Sequence, residues 1–385
     1  MEMGRHILGW LCAMALPVLG QVTNVGTAET NQIRLEWTAM PGNPYRVYAT
    51  PDLVAPAWTN LTPDGLAFAD PRGSYALPMG ERKGFCFAVA SDYLIVDLSG
   101  GPEAANYPVR YTNAPPEEGW GDEYKTAQLV LRRIPGGTFT MGSPVHELGR
   151  YEDETQHPVA LTKDYYLGVF EVTQKQWERV MGNWPSYFNG IAWREARPVE
   201  MVSYDEIRGG GAGTNWPADG NVDEDSFLGR LRTKTGHPFD LPTEAQWERA
   251  CRAGTSTALN TGHSLTNVDA DAHMDAAGRY WFNGGSEYAQ AGDDRAGTAK
   301  AGSYRANAWG VYDLHGNAWE WCLDGYGAYA APAVDPQGAD SRLARVRRGG
   351  GWSTWADRCR SADRDIRAPG YQGSHMGFRL ARTLP

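Results

Sequence analysis

Cysteine is scarce in this sequence, cationic charge is outnumbered, and apolar residues never gather into a long run beyond the N-terminus. Five cysteines among 385 residues include no Cys-x-x-Cys pair, and the eight histidines form neither His-x-x-x-His nor His-Glu-x-x-His. Those spacings bring ligands onto one ion, so zinc fingers and metalloprotease helices are excluded. Lys and Arg number 36 against 46 Asp and Glu, a formal charge of −10. A protein that tracks phosphates carries a basic excess, so nucleic acid is not an expected partner. The densest cationic group, Arg345, Arg347 and Arg348, reads as a solvated strand end. Past residue 20 no apolar stretch reaches the ~18 residues of a membrane span, so the mature chain is expected off the membrane.

Tryptophan and glycine are abundant instead, at 15 and 46 residues, in a chain that is 42% hydrophobic and 11% aromatic. Such a chain buries a sizeable core, and its rings and glycines point to an irregular, loop-rich fold rather than a helical bundle. The length suits two domains. Arg5 and His6 precede an apolar run from Ile7 to Leu19, with Val18 and Gly20 ahead of Gln21, so residues 1–20 are expected to be a secretory signal peptide. Cys12 lacks the small-residue pair that precedes a lipidated cysteine. Export to the exterior, periplasm or cell surface would place Cys86, Cys251, Cys322 and Cys359 where disulfides persist. Four cysteines allow three pairings, and spacing alone does not choose among them.

Residues 21–97 alternate in short runs, such as Ile33, Leu35, Trp37 and Tyr45, Val47, Ala49, between Pro, Gly and Asn turns. They read as a small all-β, sandwich-like module in which the two runs make a hairpin. Residues 98–125 are expected to be a Pro-rich linker. Thr173-Gln-Lys-Gln-Trp-Glu-Arg179 and Thr243-Glu-Ala-Gln-Trp-Glu-Arg249 each carry the capping-box spacing, as does Ser203-Tyr-Asp-Glu206, and each should open a helix. Trp177 and Val180, like Trp247 and Ala250, then share a helix face that packs inward. Asp219, Asn221 and Asp223 mimic the start of an EF-hand loop, but Glu224 and Arg230 stand where it needs Gly and Glu, so no calcium site is expected there.

Six ordered motifs are more specific. They are Ile134-Pro-Gly-Gly-Thr-Phe-Thr-Met-Gly-Ser143, Tyr166-Leu-Gly-Val-Phe-Glu-Val-Thr173, Pro198-Val-Glu-Met-Val-Ser203, Leu241-Pro-Thr-Glu-Ala-Gln-Trp-Glu-Arg-Ala-Cys251, Asn307-Ala-Trp-Gly-Val-Tyr-Asp-Leu-His-Gly-Asn-Ala-Trp-Glu-Trp321, and Arg348-Gly-Gly-Gly-Trp352 with Gly377-Phe-Arg379. Together they resemble the formylglycine-generating enzyme, or sulfatase-modifying factor, family. The resemblance implies that residues 126–385 form an α+β domain of variant C-type-lectin-like fold.

In the family's enzymes two cysteines five positions apart bind copper(I), and a sulfatase cysteine is oxidised to formylglycine with oxygen. Two soft sulfur ligands favour copper(I) over harder ions. Counting from Gly349-Gly-Gly-Trp352, the two positions fall on Thr354 and Cys359. Alternatively, Cys359-Arg-Ser-Ala-Asp-Arg364 resembles a stretch shared by members without the copper pair. Its cysteine pairs with the one ending the Leu-Pro-Thr-Glu helix, which implies a Cys251–Cys359 disulfide and leaves Cys322 either free and buried or paired with Cys86. Either way one sulfur remains, with Cys359 at most a lone thiol, and the Thr354 hydroxyl is too hard to replace the other. Gly351 stands in place of a family Ser and His375 in place of an Asn. The resemblance thus points to a branch lacking the catalytic pair, without bound copper. The three-His iron branch of the family is not matched either.

The resemblance also implies a structural calcium site at Asp313, Gly316, Ala318 and Glu320, where a hard ion would take mixed carboxylate and carbonyl oxygens. His315 reads as a turn residue rather than a base. By carry-over, Trp319, Gly351, Thr354, Trp355 and His375 line a ligand groove. The expected function is therefore recognition or scaffolding by an exported, non-catalytic protein with a peptide or carbohydrate ligand. One alternative keeps the copper-dependent oxidase. Another is a lectin-fold variable protein that presents Trp355, Asp357, Arg358, Asp365, Arg367, Tyr371 and Gln372.

Overall fold

The computed structural model describes residues 91–190, 193–284, 297–329 and 332–384 with their side chains, and the backbone of seven strands between residues 22 and 89. The expected signal peptide and the side chain of Cys86 lie outside the described residues. The chain divides into two compact units, residues 1–92 with 385, and residues 93–384.

The first unit is built of strands, as the alternating runs require. Val22–Thr27, Gln32–Thr38 and Arg72–Pro78 form one antiparallel sheet. Pro44–Thr50 pairs with Gly84–Val89, Thr59–Asn60 and Leu66–Ala67 in another. The two runs expected to make one hairpin thus belong to different sheets.

The second unit begins earlier than the texture of the sequence indicates. The strand Tyr93–Asp97 pairs with Gln128–Ile134 on one edge and with Val109–Thr112 on the other. Residues 98–125 are accordingly part of the unit rather than a linker. The reason is burial on both faces: Leu94 and Val96 pack with Trp177, Trp319 and Trp321, while Tyr93 and Ile95 pack with Val130 and Phe170. Tyr165–Gly168 and, at the edge beyond it, Ala381–Thr383 complete this five-stranded antiparallel sheet. A four-stranded sheet runs Arg364–Arg367, Arg345–Arg348, Trp319–Gly325, Met376–Gly377, and a three-stranded one joins Gly137–Met141, His157–Leu161 and Ala333–Val334.

The three capping boxes open the helices Gln174–Met181, Tyr204–Arg208 and Glu244–Arg252, each with its reciprocal pair of bonds. Trp177 stacks on Phe227 with ring centroids 5.2 Å apart, and Trp247 is fully buried. Among the described residues no helix is long and apolar enough to cross a membrane. Asp223 closes its own loop by accepting from the Gly211 and Ala212 N–H groups.

The Arg345–Arg348 run is not solvated: all four residues of this strand are buried. Arg345 donates to the carbonyls of Thr214 and Leu323, Arg347 lies 4.3 Å over the Trp319 ring and pairs with Asp365, and Arg348 binds Glu248. A sequence reading counts the charges of this strand but not their distant partners. Buried guanidiniums persist only where carboxylates and carbonyls satisfy them in this way.

Candidate functional site

The strand Arg345–Arg348 leads into Gly349 and Gly350, both at positive φ. A side chain at Gly350 would place its Cβ 2.5 Å from Cys359 Sγ, so only glycine lets this turn lie on the 3-10 turn Ala356–Cys359. Thr354 then folds back, its hydroxyl accepting from the Gly351 N–H at 2.9 Å and donating to the Gly351 carbonyl at 2.8 Å. The same oxygen lies 3.5 Å from Cys359 Sγ. The two positions five apart therefore face each other, as simple counting from the glycines requires, with a hydroxyl opposite a thiol.

The expected Cys251–Cys359 disulfide is not formed; Cys251, Cys322 and Cys359 are free and buried. The end of the helix Glu244–Arg252 sets Cys251 against Ser361, two residues beyond Cys359, at 3.5 Å. His315 ties the two regions together. Its Nδ1 lies 2.6 Å from the Cys359 carbonyl, its Nε2 accepts from the Asn260 N–H at 3.0 Å, and Cys251 Sγ lies 3.9 Å from that nitrogen. Burial holds this imidazole down at about 4, so it stays neutral and bridges rather than acting as a base. Burial pushes the Cys251 and Cys359 thiols up to about 12, far from thiolate chemistry at neutral pH.

Of the residues expected to line a groove, Gly351, Trp319 and His375 are brought together. A Cβ on Gly351 would stand 3.2 Å from Trp319 Cδ1 and 3.5 Å from His375 Cβ. Trp319 is buried beneath the face, and its indole Nε1 has no hydrogen-bond partner among the described residues. Trp355 projects outward, 54% exposed. Burial, then Arg347 and Arg367, hold His375 down at about 4, and its Nε2 lies 3.5 Å from the Tyr371 hydroxyl. Around them Asp365 binds Arg347, Arg367 stacks on Tyr371, Gln372 donates to Glu206, and Arg358 lies 3.9 Å over Tyr151, whose hydroxyl donates to Asp357. The face is polar and aromatic, and internal contacts hold it rigid.

The expected calcium residues meet in a second, buried cluster. Glu320 takes Arg379 through Nη2 at 2.5 Å and Nε at 2.6 Å, and accepts from Trp247 Nε1 at 2.6 Å. Asp313 Oδ2 accepts from the Gly302 N–H, while Oδ1 is buried with no hydrogen-bond partner among the described residues. Glu171, which sequence reasoning missed although it sits within a recognised motif, accepts from Asn317 Nδ2 and the Ala318 N–H. Burial, followed by the Asp313 and Glu320 charges, pushes Glu171 up, and burial lifts Asp313 to about 6. Gly316 turns at positive φ against the Arg279 carbonyl. Three carboxyl groups thus face one guanidinium, and an orphaned oxygen remains; both features suit a hard cation. Among the described residues no group of three or more His, Cys, Asp or Glu is arranged to hold a metal by side chains alone.

Residues 122–384 match the sulfatase-modifying factor enzyme 1-like domain. The chaperone protein LppX of Paenibacillus barcinonensis is 32% identical over 256 residues, covering 60% of this chain and 81% of that protein. The formylglycine-generating enzyme of Bos taurus is 26% identical over 318 residues, covering 73% of this chain and 82% of that protein. The solved Treponema denticola variable protein 1 aligns with a TM-score of 0.52 and 27% identity, over 66% of this chain and 95% of that one. The expected α+β, C-type-lectin-like architecture therefore holds for the larger unit. With its motifs in order along one such domain, the chain belongs to the sulfatase-modifying factor enzyme 1-like family.

Proposed function

We propose that this protein is an exported, non-catalytic member of its family that recognises a peptide or glycan on the face running from Gly351 to His375. The observation that carries this reading is the Thr354 hydroxyl 3.5 Å from Cys359 Sγ, where copper(I) chemistry needs a second thiol. The remaining thiol is fully buried and held protonated. The rigid surround, with Trp355 exposed above it, supports a binding role, since an ordered aromatic surface loses little freedom when a ligand docks. The relatives include a chaperone protein as well as formylglycine-generating enzymes, so family membership alone does not require the oxidase. Export rests on the apolar run from Ile7 to Leu19 behind Arg5 and His6.

Calcium belongs to the same proposal as a structural ion. Asp313 and Glu320 side chains with the Gly316 and Ala318 carbonyls would hold it, and it would supply the positive charge that the Glu171, Asp313 and Glu320 cluster lacks. The test of function is incubation with a peptide carrying the sulfatase Cys-x-Pro-x-Arg motif, with and without copper, followed by mass measurement. The peptide mass is expected to stay unchanged; the loss that accompanies aldehyde formation would establish the oxidase instead.

A further inference from the structure

A separate concavity of about 410 Å³ opens between the N-terminus of the helix Glu244–Arg252, the end of the strand Trp319–Gly325 and the strand Ala333–Val334. Of the stretch from Gly351 to His375 only Arg364, turned inward, reaches it, and its size is that of a small-molecule site. Met141, Ala245, Val334 and Pro336 make one wall apolar. His157 and Tyr329 make another aromatic, with ring centroids 4.5 Å apart. Gly325, Gly327 and Gly338 also line it.

The charges of the lining do not balance. Arg364 is committed to Glu244 by two bonds, Nε to Oε1 at 2.9 Å and Nη2 to Oε2 at 2.8 Å, and is held between the Tyr326 and Tyr329 rings. The Tyr329 hydroxyl also donates to Glu244. Asp324, 2% exposed, accepts the backbone N–H of Glu244 at 2.7 Å, and among the described residues no guanidinium bonds it. Arg348, the next cation along, is bound to Glu248 and lies 3.7 Å from Glu244. Among the described residues three carboxyl groups, Glu244, Glu248 and Asp324, thus lie near these two guanidiniums, which the two glutamates take. Burial and the neighbouring Glu244 lift Asp324 to about 8, so at neutral pH it keeps a proton in place of a counter-ion.

We propose that this cavity is a binding site for a small organic monocation, a primary ammonium carried on an apolar or aromatic body. The ammonium replaces the missing positive charge beside Asp324, and the body fills the space between the apolar wall and the His157–Tyr329 rings, where cation–π attraction adds to the pairing. The site is independent of whatever the Gly351 to His375 face binds.

The test uses the full chain and three probes of one shape: benzylamine, benzyl alcohol and benzoate, followed by calorimetry and by NMR. Benzylamine is expected to bind at least about tenfold more tightly than benzyl alcohol, with no binding of benzoate. Asp324→Asn keeps an acceptor for the Glu244 N–H, so it should fold as before; it is expected to lose that preference while leaving benzyl alcohol unchanged. Ala333→Phe fills the cavity and should abolish binding of both. Equal binding of benzylamine and benzyl alcohol overturns the proposal. So does benzylamine binding that Asp324→Asn or Ala333→Phe leaves intact, or no benzylamine binding at millimolar concentration.

Discussion

Replacing Thr354 by cysteine should create a two-sulfur copper(I) site where the natural chain sets a hydroxyl opposite one thiol. Two in-line sulfurs at the ~2.3 Å metal–thiolate distance familiar from zinc would stand roughly 4.6 Å apart. The present oxygen-to-sulfur gap is 3.5 Å, so a small side-chain adjustment suffices. In the natural protein a metal would have to ionise the Cys359 thiol, held up at about 12, with no second sulfur to help. Five pH units of ionisation at pH 7 cost about 7 kcal/mol at ~1.36 kcal/mol per unit. A second soft ligand offsets much of that cost, because both thiolates are then stabilised by the same cation. The expected gain in copper(I) affinity for Thr354→Cys is at least about 100-fold, or ~2.7 kcal/mol. Competition with a coloured copper(I) chelator measures it, with Thr354→Ser as the control that stays like the natural protein. Natural protein that withdraws one copper(I) from the chelator as well as the variant does would refute the reasoning. So would a folded Thr354→Cys protein that withdraws none.

Three further outcomes follow from buried groups. Arg360 pairs with Glu154 at 2.6 Å and Glu147 at 2.8 Å, all buried, so Arg360→Met should strand both carboxylates and cost about 3–5 kcal/mol in a urea melt; a loss below ~1 kcal/mol would mean that the clamp contributes little. Calcium at about 100 times its dissociation constant should stabilise the fold by ~2.7 kcal/mol, and Asp313→Ala should remove that increment; calorimetric melts with and without chelator decide whether the ion binds at all. His315 is neutral in the fold, with a value of about 4 against ~6.5 in an unfolded chain, so the unfolded state takes up the proton first as pH falls. Its stability contribution is present above about pH 6.5 and lost on the way down towards about 4, roughly 2 kcal/mol of it by pH 5. His315→Gln should flatten that part of the profile in urea midpoints, and an unchanged slope would show that another group titrates.

What could be read from the sequence was local or repeated. The capping boxes at Thr173, Ser203 and Thr243 lie within four residues each, and all three open helices. The inward faces of Trp177 and Trp247 follow from the same short spacing. Contacts across the chain were not legible. Arg348 looks like part of a cationic run until Glu248, 100 residues away, is set beside it. The Cys359 segment could be aligned in two ways, and only the stacking of the Gly350 turn on Ala356–Cys359 distinguishes them, leaving Cys251 to Ser361. Tyr93–Asp97 has the alternating texture of the first unit yet pairs with the second, because strand texture does not name a partner. Of the groove residues, the proximity of Gly351, Trp319 and His375 came through the family motifs, whereas the depth of Trp319 did not.

The segment from residue 353 to 375 divides its labour between a buried run, 359–364, and more exposed flanks. Arg360, Ser361, Ala362 and Arg364 face inward and hold the segment to Glu154, Cys251, Arg348 and Glu244. Trp355, Gln372 and their neighbours are left at the rim. Anchorage and display are therefore separately mutable: the outward letters of this stretch can be rewritten over generations without touching the rivets beneath.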